Sequence, residues 1–151
     1  MLDYPIEINP VSAHAILHLE DNPDDAFLLR TAAELARLPV AFFRVQDVEQ
    51  AIAWLRGEGP FSNREEYPFP VAVLLDARLA QGSGLDVLAW ARRQKQMKNL
   101  PIFILTGSER PGEKQRAQSL GATGYVQKQP LYGDLLELLR HNLPPEIHIP
   151  Q

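Results

Sequence analysis

Four short apolar runs, each ending in polar residues, constrain this chain more than any other feature. They are residues 15–19 before Glu20 and Asp21, 71–75 before Asp76, 102–105 before Thr106 and, less purely apolar, 123–127 before Lys128. Short apolar runs bounded by turn signals read as parallel strands buried on both faces. In an open parallel sheet, ligands bind in the crevice outside the strand carboxyl ends. Three carboxylates, a hydroxyl and an ammonium are therefore expected at one mouth, a set suited to one cation and one phosphoryl group.

The segments between these runs alternate with them. Residues 1 to about 13, with Pro5 and Pro10, read as an arm. Asn22-Pro23 is a cap followed by proline at the first helical position, and Ala26, Leu29, Ala33 and Ala36 follow at close to helical period, with Phe27 and Leu28 beside them. A second strand is expected at 40–45. Asp47 then caps a helix bearing Val48, Ala51, Ile52 and Leu55 on one face and ending at Gly57. Residues 58–70 hold three prolines and no period, which predicts a long surface loop. Further helices are expected at about 84–96, 112–120 and 132–142, and a tail leaves the body at 144–151. Five strands alternating with five helices imply right-handed crossovers and a parallel sheet covered on both faces.

Composition narrows the setting. At 151 residues the chain fits one domain, which at this size buries roughly 70% of its unfolded surface. Without cysteine, disulfides and thiolate metal sites are excluded. No apolar stretch approaches a membrane span and the N-terminus lacks signal-peptide character, so a cytoplasmic protein is expected. A net charge of −4 with no long basic run argues against direct nucleic-acid binding.

The chemistry of the mouth is specific. Adjacent carboxylates at Glu20 and Asp21 repel unless a cation lies between them, and Mg²⁺ fits because it takes few protein oxygens and keeps several waters. The ordinary alternative is an acidic helix start favoured by the positive dipole end. Asp76 can attack a phosphoryl group to give an aspartyl-phosphate. Thr106 could donate to one phosphoryl oxygen and Lys128 could pair with another.

These segments together resemble the response-regulator receiver domain, the phosphoacceptor half of two-component signalling in bacteria, over about residues 13–143. Residues 16–25, from Ile16 to Asp25, are similar to its acidic-pair segment. Residues 74–88, Leu74 to Leu88, resemble its phosphoacceptor segment. Residues 104–107 resemble the switch-hydroxyl segment, and 121–128 the lysine segment. The resemblance implies a flavodoxin-like (βα)5 doubly wound α/β fold with strand order 2-1-3-4-5. It implies phosphorylation at Asp76 and Mg²⁺ held by Glu20, Asp21, Asp76 and the Arg78 backbone carbonyl. It places phosphate contacts at Thr106, Gly107 and Lys128, and a switch formed by Thr106 and Tyr125. A sensor histidine kinase or phosphotransfer protein is the implied donor. The fourth helix, fifth strand and fifth helix, with Tyr125, Leu131, Tyr132, Leu135 and Leu139, form the implied partner or homodimer face, core packing being the alternative for Leu135 and Leu139. The 58–70 loop further resembles stand-alone receivers that partner bacteriophytochrome-type kinases.

The chain departs from the family in three places. Gln129 intervenes before Pro130, where the family has proline directly after the lysine, so that turn is expected to differ. Ala80 and Gly82 replace a common Pro and Met, which is expected to loosen their turn. Arg78, two residues past the nucleophile, is expected to face the phosphoryl group and alter its hydrolysis, or else to face solvent. The same Arg78 argues against a Mg²⁺-dependent phosphatase, which needs an acid there. A pseudo-receiver, a binding module never phosphorylated, is the alternative function.

Overall fold

The computed structural model describes residues 14–128 and 132–144. The N-terminal arm, the Gln129-Pro130 turn, Leu131 and the tail from 145 lie outside the described residues. Five strands are present: β1 (His14–Leu19), β2 (Val40–Val45), β3 (Ala72–Asp76), β4 (Ile102–Thr106) and β5 (Gly124–Gln127). They form one sheet of order β2-β1-β3-β4-β5 with every pairing parallel. Helices α1 (Pro23–Leu35), α2 (Val48–Arg56), α3 (Gly84–Arg92), α4 (Glu113–Ser119) and α5 (Gly133–Asn142) alternate with them. The flavodoxin-like order inferred from sequence is the order observed.

Strand period 2 sorts the apolar runs onto two faces. Leu17, Leu19, Val73, Leu75, Ile102 and Ile104 meet α2, α3 and Ala117 of α4. Ile16, Ala72, Leu74, Phe103, Leu105 and Val126 meet α1 and α5. The central strand β3 is buried at every position, so its carboxyl end is held by packing from both sides.

Local chemistry sets the helix ends. Asn22 Oδ1 accepts from the backbone of Asp24 at 2.8 Å and of Asp25 at 3.2 Å, and Asp47 Oδ1 accepts from Gln50 at 2.8 Å. Gly57 closes α2 at φ +70°, a left-handed position that favours glycine. The buried stripe of α1 is Leu29, Ala32 and Ala33, while Phe27 and Leu28 are exposed.

Two expectations are corrected. The third helix ends at Arg92 rather than near 96, because a 3-10 turn at Lys95–Met97 drops Met97 into the core. Arg92 Nη1 holds that turn through the Met97 carbonyl at 2.7 Å. Residues 58–70 form the expected surface loop, mostly exposed, and side chains pack it down onto α2. Phe61 and Tyr67 stack with Trp54, which in turn meets Phe43. Arg64 donates to the carbonyls of Trp54, Tyr67 and Leu55 at 2.8, 3.0 and 3.0 Å, satisfying the open end of α2. Finally, Tyr132 is a core residue against α1 and the sheet rather than part of an outer face, and Leu135 and Leu139 take the core packing that was their alternative; Leu138 is the exposed leucine of α5.

Candidate functional site

The carboxyl ends of β1, β3, β4 and β5 converge as their registers require, with Leu19 beside Leu75, Asp76 beside Leu105 and Thr106 beside Gln127. The acidic pair is fixed through its backbone: Arg44 from β2 donates Nε to Glu20 O at 2.8 Å and Nη2 to Asp21 O at 3.1 Å. Glu20 Oε2 accepts from the Asn22 backbone at 3.2 Å. Asp21 Oδ2 accepts from the Ala80 backbone at 2.7 Å. That bond needs an N–H at position 80, which proline lacks, so the turn expected to be loose is tied to the acidic pair.

Oxygens of Glu20, Asp21 and Asp76 lie within 4.8 Å of one another. Into this cluster comes Lys128, whose Nζ donates to Glu20 Oε1 at 2.9 Å, Asp76 Oδ2 at 3.2 Å and Asp25 Oδ2 at 3.4 Å. Burial would lower Lys128, but the bonds and charges of Glu20 and Asp76 outweigh it and hold the ammonium above its ordinary range. Burial, aided by the charge of Asp76, pushes Glu20 up to about 7 against the pull of Lys128. Behind them His18 is fully enclosed, its Nε2 3.9 Å from Glu20 Oε1. Burial first, then the charges of Lys128 and Arg44, push it down to about 3.

The opposite wall is built differently from expectation. The Arg78 backbone N–H approaches Asp76 Oδ1 at 3.4 Å, but its guanidinium turns neither over Asp76 nor into solvent. It bridges to Glu113 Oε2 at 2.8 Å, Thr106 Oγ1 at 2.9 Å and the Ser108 carbonyl. Thr106 donates its own proton to Ser108 O at 2.8 Å. Tyr125 donates to Glu113 Oε1 at 2.7 Å. Burial, then the bond and charge of Glu113, push the Tyr125 hydroxyl up to about 12. A side chain at Gly107 would meet nothing within 4 Å, so the floor beside Thr106 is open.

Asp76, Glu20, Asp21, Thr106 and Lys128 thus share one end of the sheet, as the strand-end pattern led one to expect, and Gly107 and Tyr125 lie beside Thr106 and Glu113 there, where the resemblance placed them. Glu113 was missed. Its only signal was a position in the first turn of the helix after Thr106, and nothing local links it to Arg78, 35 residues earlier.

A five-stranded 2-1-3-4-5 parallel sheet with an acid cluster, a threonine and a lysine at its carboxyl edge defines a receiver-type protein. The chain belongs to the response regulator receiver domain family, which matches residues 16–140. Response regulator Rcp1 of Synechocystis sp. is 26% identical over 134 residues, spanning 89% of this chain and 88% of Rcp1. The bacteriophytochrome response regulator RtBRR superposes with a TM-score of 0.77 at 29% identity, covering 92% of this chain and 83% of that one. The phosphorylated cyanobacterial phytochrome response regulator RcpA does so with 0.72 at 26% identity, covering 85% and 90%. Among the described residues no helix is long and apolar enough to cross a membrane.

Proposed function

We propose that this chain is a phosphorylatable signalling switch that takes a phosphoryl group from a phosphohistidine onto Asp76. The carrying observation is that Asp76 lies at a buried strand end with Lys128 Nζ 3.2 Å away and two further carboxylates within 4.8 Å. Hard carboxylate oxygens this close suit Mg²⁺, held by Glu20, Asp21, Asp76 and the Arg78 backbone carbonyl. When bound, the metal neutralises charge on the transferring oxygens.

A carboxylate oxygen of Asp76 attacks phosphorus in line. The O–P bond forms as the N–P bond of phosphohistidine breaks, and the imidazole nitrogen keeps the electron pair. Lys128 pairs with a phosphoryl oxygen, exchanging one of its carboxylate contacts for it. Thr106 donates to another oxygen after giving up Ser108 O, and Gly107 leaves the space these oxygens need. The product carries roughly two negative charges where the Asp76 carboxylate carried one. Tyr125 answers the movement of Thr106 and alters the α4–β5–α5 surface, where a partner or second copy binds.

The donor must cover the mouth to reach Asp76. Phe27 and Leu28, both more than half exposed, offer apolar surface on α1, the helix that starts just after the acidic pair. The relatives point to a phytochrome-type sensor kinase as the source. Incubation with Mg²⁺ and acetyl phosphate followed by intact mass is expected to show one phosphate on the wild type and none on Asp76→Asn; an unmodified wild type would refute the proposal.

A further inference from the structure

Arg78 follows Asp76 by two residues, yet the partners of its guanidinium all lie on the β4–α4 side. Nη1 is given to Glu113, and Nη2 is shared among Thr106 Oγ1, Ser108 O and, at 3.4 Å, Ser108 Oγ. Two hydrogens on Nη2 face three acceptors, so at least one contact there is shared and weak. Glu113 is the junction. One carboxylate oxygen takes the guanidinium and the other takes the Tyr125 hydroxyl, and its side chain is only 10% exposed. Asp76 and Tyr125 are thereby joined through two side chains: Arg78, anchored two residues from the nucleophile, and Glu113, at the first residue of α4.

We propose that Arg78 is a phosphoryl sensor that exchanges Glu113 for the phosphoryl oxygens and so releases Tyr125. The inference rests on Asp76 being the phosphoacceptor. A guanidinium fork matches phosphoryl oxygens bidentately, and a group of roughly two charges attracts it more strongly than one carboxylate does. The exchange is assisted by Thr106. When that hydroxyl leaves Ser108 O for the phosphoryl group, the Arg78 acceptor at 2.9 Å moves with it. Glu113 is then a nearly buried carboxylate without its cation, which favours rotation toward water. The Tyr125 hydroxyl loses its acceptor, and the tether between the β3–α3 loop and the start of α4 is gone. Arg78 acts here through Glu113 as a positioning residue for the switch.

The test is ¹⁹F NMR of the chain labelled with 3-fluorotyrosine, the Tyr125 signal assigned through Tyr125→Phe. In the wild type, Mg²⁺ with acetyl phosphate is expected to move that signal. In Arg78→Gln and Glu113→Gln, without any phosphoryl donor, it is expected beyond the midpoint of that same displacement. The double variant is expected to go no further than either single one, and Arg78→Lys, which keeps a cation, should return it toward the resting position. Tyr125 signals unmoved in both Gln variants, with a wild type that still responds, would overturn the sensor while leaving phosphorylation intact. A wild type that gains no phosphate by intact mass would instead overturn the assignment of Asp76, and the resting-state comparison of the variants still decides whether the bridge positions Tyr125.

Discussion

Asp76 owes its position to a residue with no polar chemistry. Gly84 opens α3 directly against the end of β3, and a Cβ there would stand 2.4 Å from the Asp76 carbonyl oxygen and 2.7 Å from Leu75 Cβ. Neither neighbour is a flexible chain end, so Gly84→Ala must push α3 away from the nucleophile. The expected cost is about 1–3 kcal/mol of stability, as for other overpacked sites, read as a lower urea midpoint with an unchanged slope. A midpoint equal to that of the wild type would show that α3 moves freely. The strand-end residues themselves were legible in the sequence because burial on both faces leaves a continuous apolar run that stops where the polar group begins. Arg78 was legible as unusual but not in its direction. Its expected places were over the phosphoryl group or in solvent; the place it takes is set by Glu113, which belongs to a turn whose spatial neighbours the sequence does not encode locally.

Among the elements, the stretch between α2 and β3 was least readable. Prolines and absent periodicity describe its backbone correctly, but its order comes from side chains: three aromatic rings around Trp54 and one arginine beneath Gly57. Trp54 also donates Nε1 to the Pro68 carbonyl at 2.9 Å, pinning the far end of the segment to α2. Arg64 closes the last carbonyls of α2, a place where a charged donor contributes more than a neutral one. Arg64→Ala is expected to lower global stability by about 1–3 kcal/mol and to accelerate amide hydrogen exchange in residues 54–67, with little change at the β4 end. Uniform exchange rates across the chain would place the segment's order elsewhere. The α5 leucines teach the converse. The resemblance placed them on a partner face with core packing as the alternative, and the core takes them up, Leu135 and Leu139 packing in one cluster with Val126 and Phe103.

Across the whole molecule, the mouth places ionisable groups deeper than they prefer, and two strongly perturbed ones oppose each other. Glu20 is raised from 4.5 to about 7, so between these values the folded chain keeps a proton that the unfolded chain has released; its contribution is present at low pH and lost as pH rises through about 7. His18 is lowered from 6.5 to about 3, so in that range the unfolded chain binds a proton that the folded chain refuses. Its contribution is present above 6.5 and lost as pH falls toward about 3. Between 4.5 and 6.5 the trends cancel in direction, and below 4.5 His18 stands alone. Each such proton changes stability by about 1.4 kcal/mol per pH unit. Replacing His18 with leucine in metal-free protein removes one of the two trends, and the difference between variant and wild type cancels every titration they share. Urea midpoints from pH 8 down to 4 are expected to show that difference constant above 6.5 and then moving steadily in the variant's favour as the pH falls. A difference that stays constant over the full range would mean that the His18 ring takes up its proton in the folded chain as readily as in the unfolded one, and that the base of the acid cluster is not dry.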